Sequence, residues 1–315
     1  MPEQPFLSIV TPTLGKFSDY WLEHLLDIRG DDLEFVLVYY PNLPSQPIDD
    51  PRVKTLASPY QGAMMQRFTG FMNATGKYIL ALDDDDFVHP DILDFTRRYF
   101  QKFPESWVLR LKIAKIDKND REKMQAEWHP LPDLDTLNIA DRSTSETRRT
   151  TLQNVPIAPL YNRFDLRLLI PFTDRRDDRG PHIENFNNKI WNNAMLQQIL
   201  PEISQATKVI GGSAAGHLAV IPLRAFDRLA GLFFQAYFYQ EGKAIGHWMP
   251  DPEQIRFASM DPKSKPPRFH ILADFILLKR FPQYGYFWNL FVAKFYGAFR
   301  AYGKLIKWKL QKKKI

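Results

Sequence analysis

The chain has 315 residues, 44% hydrophobic and 25% charged, which is enough for a large buried core and too apolar for a disordered chain. It contains no cysteine, which excludes disulfides, thiolate metal sites and a cysteine nucleophile. The net charge of +6 is gathered at one end: Tyr284 to Ile315 holds eight of the 42 bases and none of the 36 acids, so the rest carries 34 bases against 36 acids and no nucleic-acid surface is expected.

The first residues, "MPEQPFLSIVTPT", lack a basic segment followed by a long apolar one, so no secretory leader is expected. No run reaches about 18 apolar residues, so no transmembrane helix is expected either. A reducing, cytoplasmic location follows as the expectation. "FLSIVTP" (6–12) reads as a buried strand closed by Pro12, and "FSDYWLEHLLDI" has the apolar spacing of a helix. "LEFVLVYY" (33–40) is a second buried strand and "RVKTLA" a short third. "GAMMQRFTGFMNATG" predicts a helix ended by Gly76. "KYILALD" (77–83) is a strand apolar on both faces, "HPDILDFTRRYF" a helix with Pro90 near its start, and "SWVLRLKI" (106–113) another strand. Strands alternating with helices predict a doubly wound, mostly parallel α/β sheet.

From 115 to 180 the pattern weakens into a polar, irregular stretch. Order is expected again in "VPIAPLYN", in a helical "ENFNNKIWNNAMLQQI" and in "AAGHLAVIPLRAFDRLAGL". The division expected is 1–115 as a nucleotide-sugar half, 116–260 as the acceptor-side half of the same domain, and 261–315 as a helical tail.

Four acids, Asp83 to Asp86, follow the apolar strand. Ligands of open α/β sheets bind beyond the carboxyl ends of the strands. In extended chain Asp83 and Asp85 would point the same way, roughly 6–7 Å apart. That arrangement suits a hard cation and a diphosphate. A solvated run capping the next helix is the bland alternative.

"SIVTPT" and "QRFTGFMNATGKYILALDDDDFVHPDIL" resemble family 2 glycosyltransferases of the GT-A fold over residues 6–100. In that family a strand ends in Asp-X-Asp, here Asp83, Asp84 and Asp85, with Asp86 and Pro90 following. Arg67, Gly70, Ala74, Gly76 and Tyr78 match the helix and turn before it. The resemblance implies a metal-dependent, inverting transfer of sugar from a nucleotide-sugar donor; a glycan or lipid-linked acceptor is expected only from the membrane location that the tail suggests. The resemblance places Thr11, Pro12, Thr13, Tyr39, Arg67, Asp83 and Asp84 at the donor, and Mn²⁺ or Mg²⁺ on Asp85 and Asp83. It also implies a base about a hundred residues on, opening a helix; Glu184 is chosen, with Asp177 and Asp178 as rivals and Glu241 weaker. The family's usual base-reading Asp after the second strand is replaced by Tyr39, which offers a ring for stacking instead.

His182 and His247 are candidates for metal or acceptor contact, but a lone His is more often structural. A nucleotidyltransferase and a degenerate, non-catalytic membrane-associated relative are the competing readings. In "YGYFWNLFVAKFYGAFRAYGKLIKWKLQKKKI", Trp288, Phe291, Phe295, Phe299, Tyr302 and Ile306 share one helical face and Arg300, Lys304 and Lys307 another. That pattern predicts a helix lying on anionic lipid, so a peripheral place at the inner membrane face is expected, with core packing as the alternative.

Overall fold

The computed structural model describes residues 4–171, 173–176, 180–208, 226–259 and 271–297. Asp177, Asp178 and the tail residues from Phe299 on lie outside the described residues. Two interleaved units result: 1–156, 187–200 and 242–260 form the first, and 157–186, 201–241 and 261–315 the second. The units are therefore discontinuous in sequence, unlike the consecutive division expected.

The first unit opens with β1 (Leu7–Thr13), α1 (Asp19–Leu26), β2 (Leu33–Tyr39), β3 (Val53–Ala57), α2 (Ala63–Asn73) and β4 (Tyr78–Ala81). There follow β5 (Phe87–Val88), α3 (Ile92–Lys102), β6 (Val108–Arg110), β7 (Ile113–Asp117), α4 (Arg121–Gln125), β8 (Asn138–Ala140) and β9 (Thr151–Pro156). β10 (Lys189–Asn192), leading into α5 (Asn193–Lys208), with β11 (Ala244–Trp248) and β12 (Ile255–Ser259), complete it. Nine strands form one sheet in the order β3-β2-β1-β4-β10-β6-β11-β9-β8, and β5-β12-β7 form a second. The half running β3-β2-β1-β4 is parallel, and β10 runs antiparallel to both β4 and β6. This is the expected α/β class with a mixed, mostly parallel sheet.

β1, β2 and β4 are buried along their whole length, which is why they appear in the sequence as unbroken apolar runs. One face of the sheet carries Ile9, Leu37 and Tyr39, packed with Trp21 and Leu25 of α1 and Phe95, Tyr99 and Phe100 of α3. Ser18 caps α1 by accepting from the Trp21 amide. The opposite parity brings Val10 and Val38 against α2, where Gly70 leaves no room: a Cβ there would lie 2.3 Å from Val10.

Three expected elements differ. α2 ends at Asn73, and Gly76 is used for its closeness to Ser8 of β1. "SWVLRLKI" contributes only Val108–Arg110 to the large sheet before the chain passes to β7 in the small one. "ENFNNKIW" is coil and then β10, not helix; α5 starts only at Asn193, with the Asn192 side chain accepting from the Met195 amide. β9, β11 and β12 are strands that the sequence pattern did not announce.

β11 meets β6 through Gly246, whose added Cβ would sit 1.8 Å from the Val108 carbonyl oxygen, at a register shift against β9. Backbone cannot yield as a side chain does. Gly246→Ala is therefore expected to cost about 3 kcal/mol, measurable as a lower midpoint in denaturant unfolding.

The second unit holds a 3-10 turn (Leu166–Leu169), α6 (Phe226–Tyr237), α7 (Ile271–Arg280) and α8 (285–297). Its core includes Leu229, Phe233, Phe234, Leu277, Tyr286 and Phe287. Phe233 and Phe281 meet edge to face, ring centres 4.9 Å apart. Buried Gln235 ties the segments together, accepting from the Ala158 amide and donating to the Ile183 carbonyl.

Candidate active site

β1 and β4 are parallel neighbours, so Thr13 and the acids after Ala81 emerge at the same edge of the sheet. Leu82 continues the ladder by donating to Val10, and then the chain turns, the Asp86 amide donating to the Asp83 carbonyl at 3.1 Å. This turn replaces the extended run expected for Asp83 and Asp85. Its result is a third participant: one carboxylate oxygen from each of Asp83, Asp85 and Asp86 lies within 4.8 Å of the others. From the sequence Asp86 is expected only as the acid following the Asp-X-Asp motif, with no ligand role.

Each acid has a different setting. Asp83 is held by the Arg67 guanidinium, itself buried in α2. Asp84 accepts from Thr13 Oγ1 at 2.7 Å; burial raises its carboxyl despite that bond. Asp85 is exposed. Asp86 is fully buried, accepting from the Ala258 amide at 3.0 Å and from Asn188 Nδ2 at 3.5 Å, while its own carbonyl accepts from Trp21 Nε1. Burial, followed by the negative charges of Asp83 and Asp85, pushes the Asp86 carboxyl well up. Three crowded oxygen donors with one resisting ionisation fit a hard divalent cation, and the donor set contains neither nitrogen nor sulfur.

The turn borders a cavity of about 570 Å³, within the usual range for small-molecule sites. Its walls include Pro12, Thr13, Asp83, Asp84 and Asp85, with Lys16, Tyr40 and Lys118 that the sequence pattern did not single out. Two expected donor contacts are corrected. Tyr39 is 1% exposed, points into the core shared with α1 and α3, and its hydroxyl accepts from the Gln46 amide, so its ring is not presented for stacking. Tyr40, one residue on, lines the cavity in its place. Thr11 is fully buried on that same inner parity and does not reach the cavity wall. Gln66 closes the cavity floor, donating 2.7 Å bonds to the Thr13 and Val38 carbonyls.

Glu184, in the second unit, stands in coil and opens no helix. Its carboxylate accepts from Arg175 and the Tyr286 hydroxyl, with Arg228 at 3.3 Å and His182 at 3.9 Å. Burial opposes its charge, but His182, Arg228 and Arg175 outweigh burial and hold the carboxyl well below the usual range. So held, it stays ionised, the form in which a carboxylate accepts a proton. Glu241 is exposed in the loop after α6. His247 is structural: Tyr99 and Phe103 surround it, and burial lowers it to about 4. His182 lies against Tyr286.

Arg228 also faces Asp274 at 3.4 Å. Asp274 is fully buried, and burial, eased by Arg228 but reinforced by Glu184, raises it to about 6. Its folded value exceeds the usual 3.8, so its stabilisation is complete below pH 4 and is lost as pH rises through about 6. The slope amounts to about 3 kcal/mol. Asp274→Asn is expected to flatten stability between pH 4 and 6, as read by urea melts across that range.

Residues 32–164 match the family described as Glycosyl transferase family 2. Similar solved structures include S. aureus TarS residues 1–349, at 14% identity and a TM-score of 0.45, over 87% of this chain and 65% of that one. The same residues in complex with UDP-GlcNAc match at 13% identity and 0.47, over 87% and 66%. S. aureus TarS matches at 13% and 0.46, over 87% and 40%. This chain thus spans about two thirds or less of each. No curated protein matches it.

Proposed function

From the match of residues 32–164 to glycosyl transferase family 2, we propose a metal-dependent transfer of sugar from a nucleotide-sugar donor to a glycan or lipid-linked acceptor, with inversion at the anomeric carbon. The supporting observation is the acidic turn bordering a cavity at the carboxyl ends of β1 and β4. Asp83, Asp85 and Asp86 would hold Mn²⁺ or Mg²⁺. When bound, such an ion stabilises the negative charge that develops on a departing diphosphate.

The chain's own residues supply the rest. Lys16 and Lys118 bring positive charge to the diphosphate, and Tyr40 offers its ring to the base. Arg67 orients Asp83 by ion pairing, and Thr13 does the same for Asp84 by its hydrogen bond. We keep Glu184 as the proton acceptor, the role the sequence resemblance implies for it. The acceptor hydroxyl oxygen bonds the anomeric carbon, its proton passes to that carboxylate, and the bond from that carbon to the diphosphate oxygen breaks. The basic sequence from Tyr284 on supports work at the inner face of an anionic membrane.

A thermal-shift panel of UDP-, GDP- and dTDP-sugars, each with and without Mn²⁺, tests the reading. Stabilisation that needs both the metal and one donor is the expected result and names the nucleotide. Stabilisation by a nucleoside triphosphate with pyrophosphate release would support a nucleotidyltransferase instead.

A further inference from the structure

The second unit exposes large apolar side chains where α8 meets the 3-10 turn. Leu166, Leu169 and Ile170 are 72%, 59% and 63% exposed. Two bonds join the approach to this turn with α8: the Asp165 amide donates to Asn289 Oδ1, and Asn289 Nδ2 donates to the Arg163 carbonyl. Further along, the Tyr296 hydroxyl donates to the Leu169 carbonyl. On α8 itself Tyr286, Phe287 and Leu290 are buried, whereas Trp288 and Phe295 are 43% and 44% exposed. The exposed surface continues through Phe291 to Phe275 of α7, ring centres 5.9 Å apart.

The bases and acids around this surface are unevenly matched. Arg163 and Lys279 are exposed on the same elements. Two nearby acids are already engaged, Asp165 with Arg167 and Glu202 with Arg280. The sequence beyond α8 adds seven bases and no acid. Apolar side chains beside excess positive charge match the boundary of an anionic bilayer, where headgroup phosphates lie over acyl chains. A protein partner would be equally served by the apolar part but gives no reason for the charge.

We propose that this face, Leu166, Leu169, Ile170, Phe275, Trp288 and Phe295, docks the chain on an anionic bilayer. The side chains enter the headgroup–acyl boundary and the bases stay at the phosphates. No helix among the described residues is long and apolar enough to cross a membrane. The 3-10 turn, distant in sequence from the basic tail, is part of the contact. The proposal is independent of the transfer reading.

The full chain is tested by co-sedimentation with vesicles of phosphatidylglycerol and phosphatidylcholine, and of phosphatidylcholine alone. Binding is expected to the mixed vesicles, falling about 10-fold or more for Leu169→Ser with Ile170→Ser, and likewise for Trp288→Ser with Phe295→Ser. Circular-dichroism melting checks that each variant folds. Because the chain has no cysteine, Leu169→Cys accepts a single polarity-sensitive dye. Its emission is expected to shift to the blue on the mixed vesicles. Unchanged binding by folded variants, or bound protein with no blue shift, would overturn the proposal. So would equal binding to phosphatidylcholine alone, or variants that change only the mass in sedimentation, which would assign the face to a second copy.

Discussion

Asp85→Ala is expected to abolish the joint stabilisation by Mn²⁺ and donor and to lower transfer by about 10²–10³-fold. Asp85 is the exposed member of the acidic turn, so its loss removes a cation ligand without leaving a cavity in the core. Its removal also relieves the negative charge on Asp86, and the apo protein is expected to melt no lower than wild type. Asp84→Asn provides the contrast. It keeps an acceptor for Thr13 Oγ1 and lies outside the convergent group, so metal-dependent stabilisation should largely survive. If Asp85→Ala binds donor with metal as the parent does, the acidic turn is not the cation site.

Glu184→Gln is expected to lose both transfer and stability. Donor binding should survive while transfer falls by about 10²–10⁴-fold, the usual contribution of general-base catalysis. Glu184→Gln removes the charge that Arg175 and Arg228 share. Removing one charge from this buried ion-pair cage costs about 3–5 kcal/mol, so the loss should appear in denaturant melts. Full transfer by a folded Glu184→Gln protein would remove Glu184 from the base role.

The legible parts of the fold were those whose burial is complete and local. β1, β2 and β4 lie inside the sheet and show as apolar runs, and α3 shows its buried stripe of Ile92, Phe95, Tyr99 and Phe100 at helical spacing. The acidic turn was legible because four adjacent carboxylates directly after such a strand have a high cost without a use. β10 was not. Its residues Lys189–Asn192 follow an Asn-rich stretch, and what makes them a strand is pairing with β4 and β6, which lie about 80 to 110 residues earlier. The misplacement of Tyr39 has a simpler origin. Proximity to the end of β2 was legible, but parity on the pleat decides whether a ring faces the core or the cavity, and the neighbouring Tyr40 took the open side. The cage around Glu184 draws on Arg175, Arg228 and Tyr286, which no local pattern links.

The bonds that hold Asp86 carry a consequence for biosynthesis. Its carboxylate rests on Asn188 and on the Ala258 amide, 102 and 172 residues later in the chain. A ribosome adding about 5–20 residues per second delivers the second of these roughly 10–35 s after the acids themselves emerge. During that interval the four carboxylates are made but not yet fixed. A nascent chain stalled before β12 should therefore show no cation-dependent protection of the turn from protease, even with β1 to β4 already paired.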